Sequence, residues 1–321
     1  MLRDWDIEIN YGIKTGFNDA FIIDENTKNE LIAKDNKNVE LIKPILRGRD
    51  IGRYSIDYQN LYLINVHNGY KNTPRIDIEN YPTLKEFLNQ FYDKLEKRSD
   101  KGATPYNLRN CAYIDNFSNE KIIYQEIVQY PCFAYSTETM FCNDTGRIIT
   151  GKNLKFLLAI FNSKLFFYAV KNIYGGGGLG DTGVRMKHTF FEKFVVPTIL
   201  ENEQTPFITL ADQMLSLNQA LQTACTDFLA TLSEEFTNLN LTKTLKNWHE
   251  TDFDTLQKEL KKQKHQIPLA KRKEWRDYFT TEHQKVTNLQ NQIRAIDDEI
   301  NERVYKLYGL DDEEIKILQM A

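Results

Sequence analysis

No glycine occurs between Gly183 and Gly309, and that interval constrains the fold more than any other feature of the chain. Glycine and proline are what break helices, so a long stretch nearly free of them can run in long helices. After Pro197 the stretch PFITLADQMLSLNQALQTACTDFLATL reads as one long helix and TDFDTLQKELKKQ as a shorter one. A third pattern begins at Pro268 and continues to Gly309. Its apolar residues Val286, Leu289, Ile293, Ile296, Ile300 and Val304 step by three and four. That spacing predicts coiled-coil-like packing of two antiparallel helices. A last short helix, DDEEIKIL, opens with acids that suit a helix N-terminus.

The residues before Pro197 have a different texture. DAFII, LYLINV, KIIYQEIV and the two halves of FCNDTGRIITG are short, apolar and partly β-branched, as strands are. Asn143-Asp144-Thr145-Gly146 is a turn signal between the last two. PTLKEFLNQFYDKLEKR predicts an amphipathic helix entered through Pro82. NLKFLLAIFNSKLFFYAVKN is apolar almost all round and predicts a buried helix. The expected fold class is therefore α+β. A mixed, sheet-containing domain over residues 1–200 is followed by an all-α, coiled-coil-like domain over 201–321.

At 41% hydrophobic and 27% charged residues, the chain can bury a substantial core. No run approaches the roughly 18 apolar residues of a membrane span, and the charged opening MLRDWDIEINYG lacks the apolar core of a signal peptide. Cys111, Cys132, Cys142 and Cys225 form no C-x-x-C pair and suit a reducing cytoplasm. The net charge is −4, but it is unevenly spread. Residues 1–200 carry 26 Lys and Arg against 24 Asp and Glu, whereas residues 201–321 carry 15 against 21. A nucleic-acid surface needs a local basic face, which only the first part supplies easily.

Three stretches carry candidate chemistry. In GIKTGFNDAFII, Lys14 and Thr15 lie between Gly12 and Gly16, and a strand-like run follows. A nucleotide-binding P-loop needs lysine after the second glycine and a helix thereafter, so that order excludes it. A Gly-Lys-Thr-Gly turn still offers amides, a hydroxyl and a cation to phosphate; an ordinary turn before a strand is the alternative. KPILRGRDIGRY sets Lys43, Arg47, Arg49 and Arg53 close together, either as a base- and phosphate-gripping loop or as a solvated one. IYGGGGLGDTGVRMKH, which contains Gly176 and Gly177, ends in Arg185, Lys187 and His188. Its glycines allow close approach to a ligand or make a mobile loop. It follows a helix, so it is not a Rossmann loop.

Other signals are weaker. Asp254, Glu259 and Lys261 form a loose nuclease-like pattern, but Phe253, Leu256 and Leu260 mark an amphipathic helix there. The five histidines form no zinc motif, there is no G-x-S-x-G, and His188 alone is slight evidence for acid–base work.

Taken in order, GIKTGFNDAFIID, LIKPILRGRDIGRY, KIIYQEI, LKFLLAIFNSKL and VYKLYGLDDEEIKIL resemble the TaqI-like C-terminal specificity region of adenine-specific DNA methyltransferases, including type IIG restriction–modification enzymes. The resemblance extends from about Tyr11 to the end and is least specific over 225–285. It implies a target-recognition domain that grips duplex DNA, reads base edges and helps present a flipped adenine for methylation. The family's catalytic N-P-P-Y and F-x-G-x-G motifs do not occur here. The expectation is thus a specificity part with no catalytic residues and no metal site, separated from a methyltransferase and a nuclease domain of a longer polypeptide. Those domains would use S-adenosylmethionine and Mg, and the partners would be double-stranded DNA and those domains, with no membrane.

On this reading Lys14, Thr15, Gly16, Lys187 and the amides of Gly176 and Gly177 position the DNA backbone, while Arg47, Arg49, Arg53 and Arg185 read bases. Asn18 and Gln125 could pair with adenine, although Gln125 lies in an apolar strand pattern and could instead satisfy the core. The helical part becomes a spacer. The rival expectations are a stand-alone nuclease built on Glu259 and a helical protein-interaction module.

Overall fold

A computed structural model describes residues 1–174 and 183–320. Its strands are β1 (Ile7–Tyr11), β2 (Ile22–Ile23), β3 (Ile42–Leu46), β4 (Tyr62–Ile64), β5 (Lys121–Gln125), β6 (Ile127–Val128), β7 (Phe133–Ser136), β8 (Phe141–Cys142), β9 (Gly146–Gly151) and β10 (Val184–Arg185). Its helices are α1 (Asn18–Phe21), α2 (Glu25–Lys34), α3 (Pro82–Asn89), α4 (Tyr92–Lys97), α5 (Leu154–Phe161), α6 (Lys164–Asn172), α7 (His188–Phe191), α8 (Glu201–Glu235), α9 (Lys243–Lys246), α10 (Phe253–Lys262), α11 (Arg272–Tyr308) and α12 (Asp312–Met320). The fold is α+β. Residues 1–208 and 303–321 form one compact unit, and residues 209–302 form the other.

The first unit is built on two sheets and a ribbon. One antiparallel sheet runs in the order β1-β9-β5-β7. Its inner strand β9 is buried along almost its whole length, so GRIITG has no solvent-exposed face, and even its polar residues Arg147 and Thr150 are buried. The second sheet runs β2-β4-β3-β8, with β8 added parallel to β3 through Ile45↔Phe141 and Leu46↔Cys142. The separate two-stranded ribbon pairs β6 with β10, Val184↔Val128 and Arg185↔Ile127. Tyr124, Phe133, Phe161, Phe166 and Phe191 pack ring against ring behind the first sheet.

In the second unit, α8 and α11 lie antiparallel. Phe236 meets Trp275, Phe228 stacks on Tyr278, and the Tyr278 hydroxyl donates to Thr231 Oγ1 (3.2 Å). Trp248, Leu256 and Leu260 from the shorter helical segments complete that core. No described helix is long and apolar enough to cross a membrane.

Four elements differ from the sequence expectation. DAFII is mostly the helical turn α1, with only Ile22 and Ile23 in a strand. The single helix expected from Pro82 divides into α3 and α4 around Gln90 and Phe91. The buried helix expected from Asn153 divides into α5 and α6 at Asn162, because Ser163 starts a new helix by accepting from Phe166 N–H (3.2 Å). α8 begins at Glu201, ahead of Pro206, because the Glu203 carboxylate accepts from Leu200 N–H (2.9 Å).

Candidate nucleic-acid interface

The Asn143–Gly146 turn joins β8 to β9, and three otherwise separate stretches are fastened to it. Ile13 N–H donates to Cys142 O (2.7 Å) and Gly12 N–H to Gly146 O (3.0 Å), which seats the Lys14 loop. Gly12 must be glycine, because a Cβ there would run into the Asn143 carbonyl. Gly48 N–H donates to Thr145 Oγ1 (2.8 Å) and Asn143 N–H to Leu46 O (2.9 Å), which seats the arginine loop. Glu126 N–H donates to Thr145 O (3.0 Å) and Met186 N–H to Glu126 O (2.6 Å), which ties on the ribbon that carries Arg185. The Glu126 carboxylate also pairs with buried Arg147. The turn is itself pinned, since Asn143 Oδ1 accepts from both the Thr145 hydroxyl (2.6 Å) and its amide (3.2 Å).

Within the first loop, Lys14 is exposed and forms an ion pair with Asp100 (3.1 Å). Asp100 also holds Arg109 (3.1 Å), and its hydrogen bond from Lys14, followed by the charges of Lys14 and Arg109, keeps its carboxyl below the usual carboxylate range. Gly16 adopts φ +70°, the left-handed conformation that favours glycine. Thr15 is buried. Its hydroxyl donates to Asn18 Oδ1 (2.6 Å) and accepts from Phe17 N–H (3.2 Å). It therefore supports the loop from within, leaving Lys14, Gly16 and Asn18 outermost. Beneath them Arg98 donates to four carbonyls, those of Thr15, Asp100, Pro105 and Asn107. Burial pulls its pKa down to about 10.

The arginines of the second loop divide. Arg47 is clamped on Asp50, Nη2 to Oδ1 at 2.7 Å and Nε to Oδ2 at 3.0 Å, and that bond raises its pKa. Arg53 donates to the Asn162 carbonyl (2.6 Å). These two therefore use their guanidinium donors on the protein, where the sequence suggested base contacts. Arg49 is exposed and makes no ion pair among the described residues. Arg185 and Lys187 are half-buried, and neither has a carboxylate partner among the described residues. Gly176 and Gly177 lie outside the described residues.

Two clefts of about 420 Å³ each open beside the turn. Tyr11, Lys14, Arg109, Asn110 and Asp144 are among the residues lining the first. The Tyr11 ring sits against the Arg147 guanidinium (3.9 Å to the ring centre), with His188 edge-on at 5.7 Å. Arg49, Asp57, Gln125, Ile127, Gln129 and Tyr130 are among those lining the second. Gln125, left between core and contact by the sequence, is half-buried and lines this cleft. Sequence reasoning passed over Tyr11, Arg109, Asp57, Ile127, Gln129 and Tyr130. The available signal was two glutamines around an apolar pair just ahead of Pro131.

Glu259 is buried, accepts from Lys262, and faces the Thr242 hydroxyl at 3.5 Å, which accounts for its place in the nuclease-like pattern structurally.

Residues 43–178 match the family described as the TaqI-like C-terminal specificity domain. Residues 200–304 match a domain of unknown function, DUF8810. No curated protein matches the chain. Among solved structures, the type IIL restriction–modification enzyme MmeI in complex with DNA is similar over 98% of this chain and 36% of its own length, with 11% identity and a TM-score of 0.51. The type IIG restriction endonuclease BpuSI is similar over 66% of this chain and 26% of its own, with 14% identity and a TM-score of 0.40. The chain thus spans about a third of MmeI, and at that identity the likeness speaks for the fold alone.

Proposed function

We propose that this chain, whose residues 43–178 match the TaqI-like C-terminal specificity domain, recognises a short sequence in duplex DNA as the specificity region of a restriction–modification enzyme. One observation carries the reading beyond the family match. The three stretches that hold Lys14, Arg49 and Arg185 are all fastened to the Asn143–Gly146 turn. Lys14, Gly16 and Lys187 are suited to the DNA backbone, and Arg49 and Arg185 to base edges. Thr15, Arg47 and Arg53 hold these loops in shape, and Asn18 stands at the edge of the first.

Methylation of adenine and cleavage belong, on this reading, to other domains of a longer polypeptide. S-adenosylmethionine and Mg would serve those domains. The helical part from residue 201 would serve as a spacer towards those domains, and its 15 Lys and Arg against 21 Asp and Glu do not suit it to a polyanion.

A gel-shift titration of the whole chain on a random-sequence duplex tests the proposal. With two cationic phosphate contacts, Lys14 and Lys187, raising salt from about 50 to about 200 mM should weaken binding by about 12-fold. Lys14→Ala should lower the salt dependence by about one phosphate. An affinity that does not change with salt would overturn the reading.

A further inference from the structure

The ribbon of β6 and β10 has two unlike faces. Val128 and Val184 are register partners, and both are buried (5% and 2% exposed). Ile127 and Arg185 are the next pair, so they share the opposite face. Ile127 is 46% exposed there. Arg185 Nε is buried and has no hydrogen-bond partner among the described residues. Ile127 also lines the cleft that holds Arg49, Asp57, Gln125, Gln129 and Tyr130, and Tyr130 is 60% exposed.

This collection has a specific chemistry. A two-stranded ribbon is narrow enough to enter the major groove of B-form DNA. Arginine pairs bidentately with guanine, glutamine with adenine, a carboxylate accepts from the cytosine amino group, and an aliphatic carbon meets the thymine methyl. Arg49, Gln125, Asp57 and Ile127 supply one of each around a single cleft. Arg49, Arg185 and Lys187 have no ion pairs among the described residues, which complements a polyanion. The ribbon is fixed from behind through Glu126, by its amide on Thr145 O and its carboxylate on Arg147.

We infer that the outer face of the β6–β10 ribbon is the groove-entering, base-reading surface, and that Arg49, Gln125, Ile127 and Arg185 determine the DNA sequence preferred. The inference rests on the proposed DNA recognition and assigns the specificity within it. The Lys14 loop then contributes affinity that is independent of sequence.

The test is enrichment from a randomised duplex pool by the whole chain and by three variants, with affinities read on the enriched duplex and on a random one. Wild type should enrich a motif. Arg185→Lys, on the ribbon itself, keeps the charge but loses the bidentate fork, and Gln125→Ala, in the cleft beside it, removes the amide. Each should erase preference at one or two motif positions and weaken the enriched duplex by about 10-fold, with random-duplex affinity within about threefold. Retained random-duplex affinity also reports that each variant is folded. Lys14→Ala should weaken both duplexes equally and leave the motif intact. An unchanged motif in both Arg185→Lys and Gln125→Ala would overturn the ribbon assignment while leaving DNA recognition standing. Failure of wild type to bind any duplex, or to enrich any motif, would overturn both.

Discussion

Lys121 has no exposed surface, and its ammonium donates to the carbonyls of Asn119 (2.9 Å) and Glu138 (2.6 Å). Burial pulls its pKa from 10.5 to about 8. Between those values the unfolded chain binds more protons than the folded one, so this group makes stability rise with pH. Urea unfolding at pH 7.5 and 9.5 should show wild type gaining on the order of 2 kcal/mol relative to Lys121→Met across that interval. A constant difference between the two proteins would refute the linkage. At this scale the sequence was readable where chemistry alone decides. Gly12 and Gly16 were marked as a tight turn, and the backbone needs both. The arginines were not separable. Arg47 and Arg49 are two residues apart and of one type, yet Asp50 captures the first and leaves the second exposed. Which arginine turns inward depends on a carboxylate placed by a helical turn, and no pattern in the chain encodes that.

At the scale of elements, the division between α5 and α6 shows why one expected helix became two. Asparagine and serine are not strong breakers, so NLKFLLAIFNSKLFFYAVKN reads as continuous. Beside the local Ser163 cap, a tie distant in sequence holds the break. Buried Asn162 accepts from Phe133 N–H (3.2 Å) and donates to Phe133 O (2.9 Å), completing the main chain of β7. Its own carbonyl takes the Arg53 guanidinium. Asn162→Ala would leave the buried Phe133 N–H unsatisfied, although Phe133 O keeps its bond from Tyr54 N–H (3.0 Å), and should cost about 1–3 kcal/mol in chemical denaturation. A loss below about 0.5 kcal/mol would show that the bridge is dispensable. β5, β9 and the turn between β8 and β9 were legible because short apolar, β-branched runs and the N-D-T-G signal act locally. The ribbon's outer face was not, since it exists only once β10 is brought back from some sixty residues away to lie beside β6.

At the scale of the whole molecule, the glycine-free interval correctly announced a helical region, and the two compact units have separate cores. Trp248 stacks on Phe228 at 3.9 Å in the second core. Trp248→Ala should destabilise residues 209–302 by about 3–5 kcal/mol. Duplex affinity, measured well below the melting transition, should stay within about threefold of wild type, and a larger loss would tie the helical unit to DNA contact. The Asn143–Gly146 turn has one more consequence. It secures its neighbours by amides, carbonyls and a single threonine hydroxyl, so none of the outward side chains is needed as mortar. Lettering on such a face can be rewritten while the wall behind it stands: exchanges at the exposed positions leave the amide and carbonyl ties of the scaffold in place.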